Sequence, residues 1–204
     1  NSLTDEVTYT LSGAAANGSF YMDGEYKSTI ALNGVSLTNP DSAAICIDNG
    51  KRINVVLTDG TSNTLVDGVG GIQKACFFIN GHAEFRGSGA LTLTGNTKHA
   101  YASDEYTVLH ASVGNITVTG AVSDGLHVEQ YFKMSGGTLT VSGTKGDCID
   151  VSPTKNATDE LNGQVLINGG QLTMSVDAED VKGLKCDSAM TIMGGTIHAN
   201  VNGN

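Results

Sequence analysis

Charged side chains recur at matching positions in three similar segments of the second half of the chain. The segments are Asp124–Glu129, Asp147–Ser152 and Lys182–Asp187. If they form neighbouring strands of a parallel sheet, matching side chains lie about 4.8 Å apart. Carboxylates at that distance repel each other unless they are protonated or bridged by a cation. Calcium accepts several carboxylate and carbonyl oxygens in a flexible geometry, so these segments predict a calcium site.

The predicted calcium ligands are the carboxylates of these segments and of the turn before the last one. They are Asp124, Asp147, Asp150, Glu129 and Asp180. Asp–Gly is also a common turn pair. The alternative interpretation is therefore that Asp124 marks a corner of the chain and binds no metal.

Basic and aromatic residues accompany the same carboxylates and could bind an acidic sugar. Lys182 and Lys185 occupy positions that hold Asp or His in the other two segments, so they could hold a uronate carboxylate beside a bridging cation. The alternative is an ordinary salt-bridged surface. The predicted carbohydrate-binding residues are Lys182, Lys185, Tyr131 and His127, and no residue is predicted to be catalytic.

Motifs of the common enzyme and cofactor classes are absent from the sequence. It contains no GxSxG elbow, no P-loop and no dinucleotide fingerprint, and its five histidines lack HxH and HExxH spacing. The glycine-rich stretch Asp67–Gly71 has no Lys/Ser partner and is predicted to be a loop. The four cysteines form no CxxC pair, which argues against zinc-finger and thioredoxin chemistry and leaves disulfides open. They are Cys46, Cys76, Cys148 and Cys186.

The charge balance limits the partners of the protein. The 204 residues include 21 acidic and 11 basic side chains, giving a formal charge of −10. A surface of that sign repels phosphate backbones, so nucleic-acid binding is not expected. No apolar stretch approaches the ~18 residues of a membrane-spanning helix, so the protein is not expected to be an integral membrane protein.

The charged segments belong to a repeat that runs along the chain. Corresponding apolar positions are separated by 25, 23, 33 and 25 residues, and the long interval contains a polar insertion at 153–162. These positions are Leu91, Ile116, Leu139, Leu172 and Ile197. Each repeat holds three short alternating segments divided by glycine-containing turns, which is typical of a β-helix coil.

We therefore predict an all-β fold. It is a right-handed parallel β-helix of about seven or eight coils with three short strands per coil. The whole chain, 1–204, forms a single domain, and residues 1–25 form a first coil or an N-terminal cap. The loop at 153–162 is inserted into one coil. We expect a monomer.

Several of these segments resemble a bacterial family of carbohydrate-binding domain-containing proteins, whose characterised type is a cellulose- and pectin-binding β-helix. The resemblance covers about residues 28–200. The segments that carry it are Thr29–Leu37, Asp124–Leu126, Met134–Val141, Gly146–Asp150 and Lys182–Asp187. It implies a pectate-lyase-like parallel β-helix, bound calcium, export to the cell surface and binding of plant-type acidic polysaccharide.

The function expected from the sequence is therefore polysaccharide binding outside the cell. The expected glycans are pectin, polygalacturonate or cellulose, and calcium is a structural or bridging ion. The first residues contain no signal peptide, so a secreted or cell-surface location assumes a mature chain. One alternative is a calcium-dependent pectate-type lyase with Lys182 or Lys185 as the base, and the other is a structural or adhesive solenoid.

Overall fold

A computed structural model describes residues 6–203, and every regular element within them is a β-strand. The strands pair only in parallel and form two sheets, one of 14 strands and one of 7. The first of these sheets folds into two walls, so the solenoid has three walls in all. No helix in the described range is long and apolar enough to cross a membrane.

Two long strands near the start of the chain run across the corner between two walls. They are β1 (Val7–Ala15) and β3 (Ser28–Thr38), which pair with each other along their length. The N-terminal half of β3 pairs with wall 3 and its C-terminal half pairs with wall 1. This shared strand is the reason why walls 1 and 3 count as one sheet.

Each later coil contributes one strand to each wall. Wall 1 continues with β6 (Ser62–Val66), β9 (Ala90–Gly95), β12 (Asn115–Ala121), β15 (Thr138–Ser142), β18 (Gln171–Val176) and β21 (Thr196–Val201). Wall 2 consists of β2 (Phe20–Asp23), β4 (Ile45–Asp48), β7 (Ala75–Ile79), β10 (His99–Ser103), β13 (Leu126–Glu129), β16 (Ile149–Ser152) and β19 (Leu184–Cys186). Wall 3 continues with β5 (Ile53–Leu57), β8 (Ala83–Arg86), β11 (Thr107–Leu109), β14 (Tyr131–Met134), β17 (Gln164–Ile167) and β20 (Met190–Ile192). The predicted parallel β-solenoid is confirmed, with about 8 turns.

The repeat of apolar residues becomes a column inside the solenoid. Leu91, Ile116, Leu139, Leu172 and Ile197 are consecutive partners on wall 1. The first four are buried, whereas Ile197 in the last described coil is only partly covered. Burial of one such side chain contributes about 1.5–3 kcal/mol, so these columns are a principal source of stability.

The Gly–Gly pairs of the repeat are required at the corner between walls 3 and 1. Gly137 has φ +74°, a conformation that residues with a side chain rarely adopt. A Cβ atom there would lie 2.4 Å from Val113 Cγ1 and 2.5 Å from the Val113 carbonyl oxygen. The corner of one coil therefore touches the backbone of the coil before it.

Two regions singled out in the sequence lie at the coil edges. Residues 1–5 of the predicted first coil or cap lie outside the described range, and β1 and β2 pair with the next coil. The predicted insertion leaves the solenoid after β16, and its loop is held by the Asn162 Oδ1 atom, which accepts the Thr154 amide hydrogen at 2.8 Å. All four cysteines are free thiols.

Candidate functional site

The outer surface of wall 2 carries the residues predicted to act together. Because side chains alternate along a strand, the inward column of Leu126, Ile149 and Leu184 fixes which residues face solvent. The outward neighbours in register form what we call the outer column. From the first coil to the last, it contains Tyr21, Cys46, Phe78, Ala102, His127, Asp150 and Lys185. Its first part is aromatic and apolar, and its last part is charged.

A second column stands at the entrance to these strands and ties the coils together. Asp124 Oδ1 accepts the amide hydrogen of Asp147 at 2.9 Å, and Asp147 Oδ1 accepts the amide hydrogen of Lys182 at 2.6 Å. Asp124 therefore has a structural role between two coils. Each aspartate uses one oxygen for the next coil and keeps the other one for side-chain contacts.

His127 lies between two of the predicted calcium ligands. Its Nδ1 atom is 3.0 Å from Asp150 Oδ2 and 3.5 Å from Asp124 Oδ2. The ring N–H points directly at neither oxygen, so the contacts are ion pairs rather than linear hydrogen bonds. The Asp124 and Asp150 carboxylates raise the pKa of His127 to about 9. The imidazole is therefore a cation at neutral pH.

Lys185 continues this row of alternating charges on the last coil. Its Nζ atom is 2.7 Å from Asp150 Oδ1 and 3.8 Å from Asp187 Oδ1. The contact with Asp150 raises the pKa of Lys185, and His127 and Lys185 lower the pKa of Asp150. Lys185 is thus held protonated, which makes it a poor general base.

Burial and charge act differently on the two aspartates of the entrance column. Burial alone would raise the pKa of Asp124, but contacts with His127 and His99 and the Asp147 amide hold that pKa well below its usual range. Burial raises the pKa of Asp147, and the Asp124 and Asp150 charges add to this rise. Within residues 6–203, Asp147 forms no ion pair with a cationic side chain.

His99 was not predicted as a member of this site. It precedes Asp124 in the entrance column, its Nδ1 accepts the Asp124 amide hydrogen at 3.3 Å, and its ring stacks on that of His127 at 4.6 Å. Burial lowers the pKa of His99, so this second imidazole is neutral. The sequence signal was its position 25 residues before Asp124 in the repeat, although the Asp–Gly unit is missing there.

The remaining predicted site residues make no direct contact with the carboxylates of this group. Asp180 lies in the turn before β19, where its carbonyl oxygen accepts a hydrogen bond from Lys182 Nζ. Glu129 ends β13 on the opposite edge of wall 2. Tyr131 begins β14 on wall 3 and stacks on Tyr106, with ring centroids 4.7 Å apart. One face of the Tyr131 ring is therefore covered.

A small hollow lies beside His127 on the outer surface of wall 2. Its volume is about 90 Å³, and its floor is formed by the small side chain of Ala102. The polar residues around it are Lys74, Lys98, His99, Asp104, His127 and Glu129. Burial, and then the charge of Asp104, raise the pKa of Glu129. The hollow thus offers cationic groups and an acidic edge, which suits a polar ligand with hydroxyl and carboxylate groups.

The donor atoms of the site allow two kinds of metal binding. His99, Asp124 and His127 place potential ligand atoms within 4.8 Å of one another, and such nitrogen donors suit zinc-like ions. Calcium prefers oxygen donors. Those available here are the carboxylate of Asp147 and one carboxylate oxygen each of Asp124 and Asp150. His127 and Lys185 already neutralise Asp124 and Asp150, so the fit to calcium is only partial.

Comparison with known proteins gives the family and the fold. Residues 2–204 match the family model described as "Carbohydrate-binding domain-containing protein". A curated protein of that description from Acetivibrio thermocellus is 29% identical over 143 residues, which are 68% of this chain and 43% of the relative. The chain therefore spans less than half the length of that relative.

A solved structure has the same architecture. It is described as the polysaccharide lyase-like protein from C. thermocellum, a gadolinium derivative, and it is 24% identical with a TM-score of 0.71. The match covers 98% of this chain and 86% of that one. At this identity the likeness supports the fold alone, whereas the family match covers nearly the whole sequence. The chain belongs to the family of carbohydrate-binding domain-containing proteins.

Proposed function

We propose that this protein binds acidic polysaccharide along the outer surface of wall 2. The observation that carries the proposal is the hollow beside His127, which is lined by a protonated imidazole, by the exposed Lys98 side chain and by Lys74, whose ammonium also pairs with Asp104. An acidic chain approaching a protein with a charge of −10 needs such a local concentration of cations. Family membership supports the general class of partner.

The geometry favours an extended ligand that runs parallel to the solenoid axis. Outward side chains repeat every ~4.8 Å along this direction, so successive sugar units meet successive coils. In this arrangement Lys98 and His127 hold one uronate carboxylate, and Glu129 accepts hydrogen bonds from sugar hydroxyls. Pectin-type chains rich in galacturonate are the proposed ligands, and the corresponding location is outside the cell.

Calcium is a second element of the proposal. Asp147 would hold it together with Asp124 or Asp150, because Asp147 is the carboxylate of the cluster whose charge no side chain neutralises among residues 6–203. A bound calcium ion would supply positive charge that screens these carboxylates and attracts uronate. Lys185 would have to leave Asp150 for the Oδ1 atom of that carboxylate to take part, because its Oδ2 atom faces His127.

Binding without cleavage is favoured over a lyase reaction. A lyase needs a base that is deprotonated when it meets the proton next to the uronate carboxylate. The ion pair with Asp150 keeps Lys185 protonated, and the Lys182 ammonium is directed at the Asp180 carbonyl oxygen. The release of unsaturated uronate from polygalacturonate would contradict this conclusion.

The test is a binding measurement with galacturonate oligomers, in calcium and in a chelator. Lys98→Ala and His127→Gln should each lower the affinity about 5- to 20-fold, a range that corresponds to about 1–2 kcal/mol. Lys51→Ala is the matched control, because Lys51 is an exposed cation in the turn after β4 that does not line the hollow. Equal losses in all three variants, or no binding by the unaltered protein, would reject the proposal.

A further inference from the structure

The first coils carry a larger groove on the same outer surface, and the proposed function does not use it. Its volume is about 340 Å³. The groove lies over the aromatic part of the outer column, with Tyr21 and Phe78 among its lining residues. Tyr21 is 62% exposed, so much of its ring is open to a ligand in the groove.

The residues that directly follow the glycine-rich stretch Asp67–Gly71 form one bank of this groove. The segment after β6 projects Ile72 fully into solvent next to the groove. It is firmly anchored, because Gln73 Nε2 donates to Asp67 Oδ2 at 2.8 Å and a Cβ on Gly68 would lie 1.8 Å from the Pro40 carbonyl oxygen. The groove is therefore formed before a ligand arrives, which lowers the entropic cost of binding.

The groove and the hollow beside His127 are neighbouring cavities on the same surface. Lys74 lines both cavities, and its ammonium lies 5.0 Å from the centre of the Phe78 ring while it pairs with Asp104. A ligand chain that leaves the hollow toward the first coil passes Lys74 and reaches Tyr21. The two cavities can therefore hold parts of one ligand.

The size of the groove decides between a small ligand unit and a protein partner. A volume of about 340 Å³ lies at the lower end of the ~300–1,000 Å³ of small-molecule sites. A stable protein interface buries ~1,200–2,000 Å², far more than this cleft can cover. One or two sugar units fit it better than a protein surface.

The charges around the groove determine which sugars it can accept. Asp48 and Asp23 lie at the exit of the strands next to Tyr21. Desolvation and then the charges of these two aspartates raise the pKa of Tyr21. The cation at the groove, Lys74, is already paired with Asp104. A carboxylate placed on Tyr21 would therefore be repelled, whereas an uncharged ring would not.

We propose that this groove is a carbohydrate subsite in which Tyr21 stacks on the apolar face of an uncharged pyranose unit, with Phe78 as its floor and Ile72 at its side. The aromatic face is electron-rich and attracts C–H groups. Neutral hexoses and uronate units whose carboxyl group is esterified both fit this requirement. The inference rests on the proposed function, because it extends the same binding surface by a second subsite with a different preference.

The test compares two oligosaccharides of equal length by calorimetry, a neutral β-linked glucose hexamer and a galacturonate hexamer. Tyr21→Ala should weaken binding of the neutral hexamer roughly tenfold, the upper part of the range for aromatic contacts. Tyr21→Phe should keep the affinity within about twofold, because it retains the ring. Tyr26→Ala is the matched control, since Tyr26 is 50% exposed and lies outside the groove.

The outcomes separate this inference from the proposed function. Both are supported if His127→Gln loses binding of the galacturonate hexamer while Tyr21→Ala keeps it and loses binding of the neutral hexamer. If Tyr21→Ala leaves binding of the neutral hexamer unchanged, or Tyr26→Ala weakens it equally, the subsite is rejected and the proposed function stands. If the unaltered protein binds neither hexamer, both are rejected. Unchanged melting temperatures in the Tyr21 and Tyr26 variants, and an unchanged far-UV circular dichroism spectrum of His127→Gln, show that the fold is intact.

Discussion

The imidazole rings of His99 and His127 belong to adjacent coils and stack with their centroids 4.6 Å apart and their planes 17° from parallel. Their charges differ, because burial lowers the pKa of His99 while two carboxylates raise that of His127 to about 9. The positive charge of His127 lies between Asp124 and Asp150, and together with that of Lys185 it balances the two carboxylates.

The stability of the protein should depend on pH through His127. Its folded pKa of about 9 exceeds the unfolded value of about 6.5. The contribution is therefore fully present below pH 6.5 and is lost as the pH rises through 9. A shift of this size corresponds to roughly 3 kcal/mol. Urea unfolding of the unaltered protein and of His127→Gln should show a difference that shrinks between pH 6 and pH 10.

The carboxylate partners should act in the opposite direction at acid pH. The folded pKa values of Asp124 and Asp150 are lowered, so their stabilisation is present above an unfolded pKa of about 3.9 and disappears as the pH falls through the folded values.

Parallel stability profiles for the unaltered protein and His127→Gln from pH 6 to 10 would show that the ion pairs of His127 are absent in solution.

Asp124 should contribute to the stability of the fold through its hydrogen bond to the next coil as well as through its charge. Asp124→Ala leaves the Asp147 amide without its acceptor at 2.9 Å, and an unsatisfied buried donor costs about 1–3 kcal/mol. Asp124→Asn keeps an oxygen acceptor and should lose less. In both variants the pKa of His127 should fall, which an NMR titration of the ring measures.

The control for this comparison is Asp187→Asn. Asp187 is exposed and lies 3.8 Å from Lys185, so its loss should change the free energy of unfolding by less than about 0.5 kcal/mol. Equal changes in the free energy of unfolding for Asp124→Ala and Asp187→Asn would show that the hydrogen bond to the next coil contributes little to stability.

The repeat made the walls and the inward columns predictable from the sequence. An apolar position that recurs every 23 to 25 residues with alternating neighbours determines both the register of the strands and which side chains point inward. Ile116, Leu139 and Leu172 were therefore expected to lie in one inward column. The same register placed Asp150 beside His127 and Lys185. The neutralisation of these carboxylates by their own neighbours depends on side-chain orientations that spacing alone does not determine.

Other parts of the site depended on local backbone geometry. Gln130 adopts φ +65°, and the chain turns there. Tyr131 therefore lies on wall 3 rather than on wall 2 with the predicted carboxylates. His99 was missed because its coil lacks the Asp–Gly unit. The Tyr21–Phe78 groove was missed because the loop after β6 lengthens the interval between the strands of the first coils, which obscures the repeat.

Calcium binding should depend on Asp147 more than on any other aspartate of the cluster. If calcium binds there, saturation at 100 times the dissociation constant stabilises the protein by about 2.7 kcal/mol, and chelator removes this gain. Asp147→Asn should abolish the difference in melting temperature between calcium and chelator. Asp23→Asn, an exposed aspartate at the other end of wall 2, should keep it. A calcium response that survives in Asp147→Asn would place the ion elsewhere.

The inward column offers a test of the fold with an internal control. Leu139 is fully buried between Ile116 and Leu172, so Leu139→Ala should lower the free energy of unfolding by about 2–5 kcal/mol. Ile197 occupies the same column in the last described coil, where it is only partly covered, and Ile197→Ala should cost less than half as much. Urea unfolding measures both variants. Equal costs would mean that the two side chains are equally covered in solution, which would contradict the open last coil of this solenoid.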